Sequence, residues 1–198
     1  MRTWVLFAIG VGLAAAAGAG HAQQRQAGAH EHGRGTLNIA LEGSRLSMEL
    51  EAPGADIVGF EHKAKTQKQK AAVEKAMTRL EAPEPLFELP AAAGCVLEAA
   101  SVRLEREGHG HDHDAKPHGG KHKHRHDKEP TGDSEHSSFR VEYAFECQAP
   151  ASLTTIGFGY FKAFAGAQKL DVTVVTPKQQ SRFEVSRSKP RIDLGGMM

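Results

Sequence analysis

The segment 107–138 constrains the fold most, because it offers nothing to a hydrophobic core. It holds eight of the chain's 12 histidines, five Lys or Arg residues and several Asp, Glu and Gly residues, but no large apolar side chain. Such a composition cannot bury enough apolar surface to offset the entropy lost on ordering. We predict a disordered loop inserted between two strands, so the core must come from the sequence on either side.

The first 22 residues have the pattern of a cleaved export signal. Arg2 supplies a positive start, an uncharged apolar run follows from Trp4 to Ala17, and small residues come next. Cleavage after Ala22 or after Ala19 fits the small-x-small rule. The alternative, a transmembrane anchor, requires a longer apolar run. We predict an exported protein, periplasmic if the source is Gram-negative, with no membrane insertion after cleavage.

The charge balance argues against a nucleic-acid binder. The chain has 25 Lys+Arg and 24 Asp+Glu residues. Arg2 is the only charged residue of the predicted signal, so its removal leaves 24 of each sign. A neutral chain lacks the basic patch that binds phosphates, and the basic residues of segment 107–138 are too mixed with acids to form one.

Alternation of apolar and polar residues predicts strands on both sides of the loop. Residues 35–41 and 46–51 form a predicted hairpin around the turn Glu42–Arg45. Further predicted strands are 95–107, 139–147, 153–161, 170–176 and 181–185, with a short edge strand at 191–194.

One clear helix is predicted after Thr66, which forms a capping-box pattern with Gln69. Apolar residues then recur at helical spacing until prolines intervene: Val73, Ala76, Met77 and Leu80.

The predicted fold class is therefore α+β, mainly antiparallel β with one clear helix. We divide the chain into a signal peptide (1–22), an N-terminal β/α half (23–106), the His-rich loop (107–138) and a C-terminal β half (139–198). A faint similarity between residues 51–60 and 148–158 indicates two related halves, although chance similarity of two strand–turn pairs explains it equally well.

The chain has two cysteines, and an oxidising compartment favours one disulfide between them. Cys95 opens one predicted strand and Cys147 ends another. Two buried free thiols are the alternative. If the bond forms, we expect it to clamp the two roots of the His-rich loop together.

The histidines of segment 107–138 point to metal binding rather than to a merely soluble linker. Neutral imidazole suits zinc, nickel and copper, and a flexible chain with many such ligands would give several exchangeable sites. Ligand sets of His and carboxylate without thiols favour Zn²⁺ or Ni²⁺ over Cu⁺, with Cu²⁺ also possible. The candidate ligands are His109, His111, His113, His118, His122, His124, His126 and His136.

A second, ordered site is predicted, drawn from His30, His32, His62 and His136. His30 and His32 alternate at the start of the first strand, so both imidazoles can meet one ion, and Glu31 can join them. A frayed polar terminus is the alternative reading. His62 precedes the capped helix, and its role as a ligand depends on its folding near His30 and His32.

The sequence resembles the ZrgA family of periplasmic zinc-uptake proteins over residues 29–194. The motifs that carry the resemblance are His30–Gly33, Leu37–Ala40, Leu46–Pro53, Ile57–His62 and Leu170–Pro177, with the His-rich insertion and the two cysteines. One departure, Gln179-Gln180 where Gly-Gln is expected, leaves the type of the last hairpin turn in doubt. The resemblance implies a zinc binder that serves uptake with inner-membrane transporter components, and the His30–His32 stretch and His62 match positions of candidate ligands.

The combined expectation is a binding protein that captures Zn²⁺ and supports its uptake. A storage, buffering or resistance protein for Zn²⁺ or Ni²⁺ without a transporter is the main alternative. A metalloenzyme fits worst, because the chain has no zinc-protease helix, nucleophile elbow or phosphate-binding loop.

Overall fold

The computed structural model describes residues 31–107 and 136–198. Nine strands and three helices make up the described chain. The strands are β1 (Arg34–Glu42), β2 (Arg45–Pro53), β3 (Phe87–Glu88), β4 (Cys95–Glu107), β5 (His136–Cys147), β6 (Thr155–Phe158), β7 (Lys169–Val175), β8 (Gln180–Ser186) and β9 (Arg191–Asp193). The helices are α1 (Gly54–Val58), α2 (Gln67–Leu80) and α3 (Tyr160–Ala163), with 3-10 turns at Ala91–Ala93 and Pro150–Ser152.

The larger sheet has six strands in the order β4-β5-β2-β1-β7-β8. All neighbours pair antiparallel except β1 and β7, which run parallel. The residues before and after the His-rich segment each contribute three of its strands, so the two predicted halves share one sheet. The smaller sheet has the order β3-β6-β9 and is antiparallel. The predicted fold class is confirmed.

One face of the larger sheet forms the core, because alternate residues of its strands are apolar. The smaller sheet packs on this face: the Phe87 ring of β3 meets the Tyr143 ring of β5 edge-on, with 5.9 Å between centroids. The buried apolar side chains of the four central strands are Leu37, Ile39, Leu41, Leu46, Met48, Leu50, Ala52, Phe139, Val141, Tyr143, Phe145, Cys147, Leu170, Val172 and Val174.

The opposite face of this sheet is polar. Arg140 on β5 lies 3.2 Å from Glu51 on β2 and 3.0 Å from Glu105 on β4. Arg103 pairs with Glu142 in the same way. Exposed ion pairs of this kind contribute little stability, so the sheet depends mainly on its apolar face.

Helix α2 begins where the sequence predicts. The Thr66 hydroxyl accepts a hydrogen bond from the Gln69 backbone N–H at 3.2 Å, and the Gln69 side chain accepts one from the Thr66 N–H at 3.0 Å. At the other end the buried Tyr143 hydroxyl donates to the Leu80 carbonyl at 2.5 Å. Both ends of the helix are therefore fixed, and its apolar side, with Ala76 and Leu80 buried, faces the core.

The last hairpin needs no glycine. Thr176 Oγ1 accepts hydrogen bonds from the backbone N–H groups of Lys178 and Gln179, at 3.3 and 3.2 Å. The Thr176 N–H donates to the Gln179 carbonyl at 2.9 Å. No described residue other than glycine has a positive φ, so Gln179 fits the turn without strain.

The disulfide between Cys95 and Cys147 is confirmed, but its expected place at the loop's roots is wrong. The two cysteines pair at one end of the β4–β5 hairpin, and Glu107 pairs with His136 at the other. Strand β4 has 13 residues, which separates the two ends by about 40 Å. At that other end the backbone pairing of β4 with β5 holds the two strands together. Strand β5 already begins at His136, so the strands extend into the segment 107–138, which the sequence predicts to be a loop.

The described residues contain no helix that is both long and apolar enough to cross a bilayer. The predicted signal peptide lies outside the described residues.

Candidate metal site at the root of the His-rich segment

A short irregular segment after β2 carries the central carboxylate of the candidate site. Helix α1 ends at Gly59, whose φ of +84° is left-handed and whose N–H donates to the Ala55 carbonyl at 3.0 Å. Glycine adopts this conformation without the steric cost that other residues carry. The reversal turns the chain back over the sheet and presents Glu61 to the start of β5.

Glu61 lies between two imidazoles. Its Oε2 is 2.6 Å from His136 Nδ1, a hydrogen bond, and its Oε1 is 3.2 Å from His32 Nε2. The second contact has ion-pair distance but lacks hydrogen-bond direction, so buried Oε1 has no hydrogen-bond partner among the described residues. The Glu61 side chain is 11% exposed, whereas both imidazoles reach solvent. The arrangement is a partly buried carboxylate with two solvent-exposed imidazoles beside it.

His32 and His136 come from distant parts of the chain, and the sheet explains their convergence. His136 is the first residue of β5, which pairs with β2 as far as Ser138 opposite Pro53. His32 lies two residues before the start of β1, which pairs with the other side of β2. Strand β2 lies between β5 and β1 in the sheet, and helix α1 follows β2 directly. Glu61 comes soon after α1 and so lies between His136 at the start of β5 and His32 before β1.

Asp56 fixes the turn that carries His32. Its Oδ1 accepts a hydrogen bond from the Gly33 N–H at 2.7 Å. The Gly33 carbonyl accepts bonds from the N–H groups of Gln168 and Lys169, each at 2.8 Å. Asp56 is only 4% exposed, and its second oxygen, Oδ2, has no hydrogen-bond partner among the described residues. The site thus holds one buried carboxylate, Asp56, and one partly buried carboxylate, Glu61.

The pKa shifts of these carboxylates differ in sign. Burial raises the pKa of Asp56, and the negative charge of Glu61 raises it further. The hydrogen bond from the Gly33 N–H and the charge of His32 act in the opposite direction, but the net pKa remains raised. Burial alone would also raise the pKa of Glu61, but the contacts with His136 and His32 hold it below its ordinary value. An imidazolium or a cation beside Glu61 therefore stabilises its ionised form.

The described surroundings pack tightly around this site. A Cβ on Gly54 would lie 2.5 Å from Ser137 Oγ, and one on Gly166 would lie 2.6 Å from the Asp56 carbonyl oxygen. Glycine is required at both positions for close approach of α1 to its neighbours.

Two other predicted ligands lie apart from Glu61. The His62 ring stacks on Phe60 at 5.0 Å, with Nδ1 3.0 Å from the Lys63 carbonyl oxygen and Nε2 3.4 Å from the Gln69 amide. The exposed Glu31 carboxylate lies 3.4 Å from the Arg34 guanidinium. Their role as ligands stays a prediction.

The remaining predicted ligands lie outside the described residues: His30, His109, His111, His113, His118, His122, His124 and His126.

Sequence reasoning named two members of the cluster, His32 and His136, and missed both carboxylates. Glu61 belongs to the Ile57–His62 motif on which the family resemblance rests, and this motif could have indicated Glu61 as a site residue. Nothing in the sequence singled out Asp56. In the described parts of the chain, no group of three or more His, Cys, Asp or Glu side chains is placed so that it could hold a metal ion; the imidazole nitrogens face the Glu61 oxygens instead.

A search of curated proteins found no match to this chain. A family model described as "ZrgA family zinc uptake protein" matches residues 29–194, a span that contains every described member of the site. This match covers most of the chain and confirms the resemblance that the sequence motifs predict. The chain belongs to the ZrgA family of zinc uptake proteins.

Proposed function

We propose that the protein captures Zn²⁺ in the periplasm and supports its uptake, without acting as an enzyme. One observation carries the proposal: the largely enclosed Glu61 carboxylate lies between the imidazoles of His32 and His136, at 3.2 and 2.6 Å. His136 is also the root of the His-rich segment, so collected ions would arrive at this cluster. Membership of a zinc-uptake family supports the same conclusion.

Zinc binding would proceed in two stages. The His-rich segment, through His109–His126, offers many exchangeable imidazoles and would collect ions through changing ligand sets. The Glu61 cluster is held by β1, α1 and β5, so less conformational entropy is lost when it binds. It would therefore retain one ion more tightly than the segment does.

The predicted export signal and the disulfide support the periplasmic assignment. The pattern of residues 1–22 is typical of a secretory signal, and a disulfide persists in an oxidising compartment. Inner-membrane transporter components would then receive the ion, and the mature chain would act as their metal-binding partner.

Zinc titration calorimetry of the mature protein tests both stages. The matched variant replaces the seven loop histidines from His109 to His126 with Gln, which keeps length and polarity. We expect the parent to bind several ions and the variant to keep one tight site. Unchanged stoichiometry would refute the role of the segment, and loss of all binding would refute the ordered site.

Parallel titrations with Ni²⁺ and Cu²⁺ test the choice of metal. We expect Zn²⁺ to compete effectively with Ni²⁺ at the ordered site, because zinc accepts mixed imidazole and carboxylate ligands in tetrahedral geometry. Preference for Ni²⁺ would favour a nickel storage or resistance protein.

A further inference from the structure

Among the described residues, the outer edge of strand β4 has no pairing strand. β4 ends the six-strand order and pairs only with β5. A bulge interrupts this pairing between Leu97 and Ala99, and from there to Glu107 the register is regular. The backbone N–H and C=O groups on the outer side of this regular stretch are therefore available to a further strand.

A groove of about 400 Å³ runs between this edge and helix α2. Val73, Met77 and Leu104 form its apolar floor, and all three side chains are partly exposed. Leu104 lies opposite buried Phe139 of β5, so it is on the core face of the sheet, where α2 packs. A partner that adds to β4 on this side would bury the apolar floor that the fold leaves open.

Basic side chains surround the groove. Lys63, Lys70 and Arg106 line it together with one acid, Glu74. The ion pairs between described residues include none of these three basic groups. The stretch 63–79 holds six Lys or Arg residues and one Glu, although the whole chain has 25 basic and 24 acidic residues. The groove therefore favours a negatively charged occupant.

Other parts of the predicted mature chain do not match the groove. Residues 23–30 and 108–135 contain no large apolar side chain to cover its floor. A second copy is a poor match as well, because pairing two β4 strands at the groove would bring their basic side chains together. The occupant that matches both floor and rim is a segment of another protein.

We infer that β4 and the groove bind an extended acidic segment of another protein by strand addition. The residue of the added strand opposite Leu104 is apolar and covers Val73 and Met77. The residue opposite Arg106, two positions along on the same face, is Asp or Glu, since directly facing opposite charges attract. Main-chain hydrogen bonds supply affinity, and these two side chains supply specificity. The inference goes beyond the proposed function, because it concerns a protein partner and not the ion.

The probe is a soluble peptide of about ten residues built on the repeat Val-Thr-Glu-Thr. Its binding to the full mature chain is measured by fluorescence anisotropy in EDTA, so the result does not depend on zinc binding. Two control peptides carry Lys in place of Glu or Thr in place of Val. The protein variant is Lys70→Glu/Arg106→Glu. The matched control, Arg182→Glu/Lys189→Glu, makes the same change in net charge at exposed residues beyond the opposite edge of the sheet, on and after β8.

We expect the parent and the control variant to bind the Glu peptide equally, and Lys70→Glu/Arg106→Glu to bind it at least about tenfold more weakly. The two control peptides should bind the parent at least about tenfold more weakly than the Glu peptide does. Equal binding of the Glu peptide by both variants would overturn the inference, as would no binding by the parent.

A measurement on the unmutated protein distinguishes strand addition from other docking. When the Glu peptide binds, backbone N–H groups of residues 102–106 that point away from β5 should become protected from hydrogen exchange. Unchanged exchange there would overturn the inference. Vesicles containing phosphatidylglycerol are the alternative probe. If they bind the parent but not Lys70→Glu/Arg106→Glu, and the peptide gives no protection, the surface binds a membrane instead. Self-association of the parent that this variant abolishes would overturn the inference in favour of a second copy.

Discussion

At the scale of single residues, the unusual group is Glu61. Most buried carboxylates have a raised pKa, because burial penalises the charged form. The imidazoles of His136 and His32 reverse that effect, so the pKa of Glu61 lies below its ordinary value of 4.5. Glu61 therefore stays ionised to lower pH than an unperturbed glutamate does, and the ionised form is the one that attracts a cation.

The lowered pKa has a consequence for stability. A carboxylate with a depressed folded-state pKa stabilises the protein above its unfolded value, and this contribution is lost as the pH falls. We expect the metal-free protein to lose stability as the pH drops below about 4.5. Glu61→Gln should reduce this acid-induced loss, as chemical denaturation at a series of pH values would measure.

Zinc binding should respond to the same substitution at neutral pH. Glu61→Gln should abolish tight binding at the ordered site while the His-rich segment still takes up ions weakly. Glu49→Gln, on the exposed face of β2, is a suitable control. If Glu61→Gln still bound zinc tightly, the proposal that the Glu61 carboxylate holds the ion at the ordered site would be contradicted.

The residue scale also shows what sequence reasoning could reach at the site. Histidines are rare enough for His32 and His136 to stand out by type and position. Carboxylates are common, and Asp56 and Glu61 differ from the other acids only in being buried beside imidazoles. That difference arises from the packing of α1 against β5 and the β1 turn, which no local pattern encodes.

At the scale of elements, predictions from periodicity and capping are confirmed. The β1–β2 hairpin, helix α2 with its Thr66 cap, and the paired strands β7 and β8 lie where the pattern places them. The elements that the sequence patterns do not predict are short. Strand β3 has two residues and helix α1 has five, too few for either periodicity to show.

The left-handed residue Gly59 at the end of helix α1 determines where Glu61 is placed. Gly59→Ala would place a Cβ at φ +84°, where no neighbouring atom is within 4 Å. The cost is therefore one of backbone conformation alone, about 1 kcal/mol. We expect a lower melting temperature and weaker zinc binding, since Glu61 follows two residues later.

Gly59→Asn provides the control, because asparagine tolerates left-handed backbone better than alanine. Its loss of stability should be smaller than that of Gly59→Ala. Equal losses in the two variants would show that the left-handed turn is not what the position requires.

At the scale of the whole molecule, the disulfide and the candidate metal site lie at opposite ends of one hairpin. The disulfide fixes the end of β4 and β5 that lies about 40 Å from His136. Its sequence separation of 52 residues corresponds to about 4 kcal/mol in the chain-entropy model.

Removing the bond should therefore separate the two properties. The double variant Cys95→Ala/Cys147→Ala should unfold at lower denaturant concentration. Under native conditions its zinc affinity at the ordered site should match that of the parent. Weaker zinc binding by the folded double variant would show that the disulfide does shape the site.

The parallel pairing of β1 with β7 also determines when the site can form during folding. Arg34 and Asp171, which contact across this pair, are 137 positions apart. Contacts between such distant residues cost more loop-closure entropy than local hairpins do, and topologies rich in them fold slowly. The β1–β2 and β4–β5 hairpins can form earlier, whereas the Gly33 turn is held by Gln168 and Lys169 only after β7 has docked. The contacts that hold the Gly33 turn and His32 in place would thus form among the last events of folding, so an ion bound at the proposed site would mark a chain whose folding is complete.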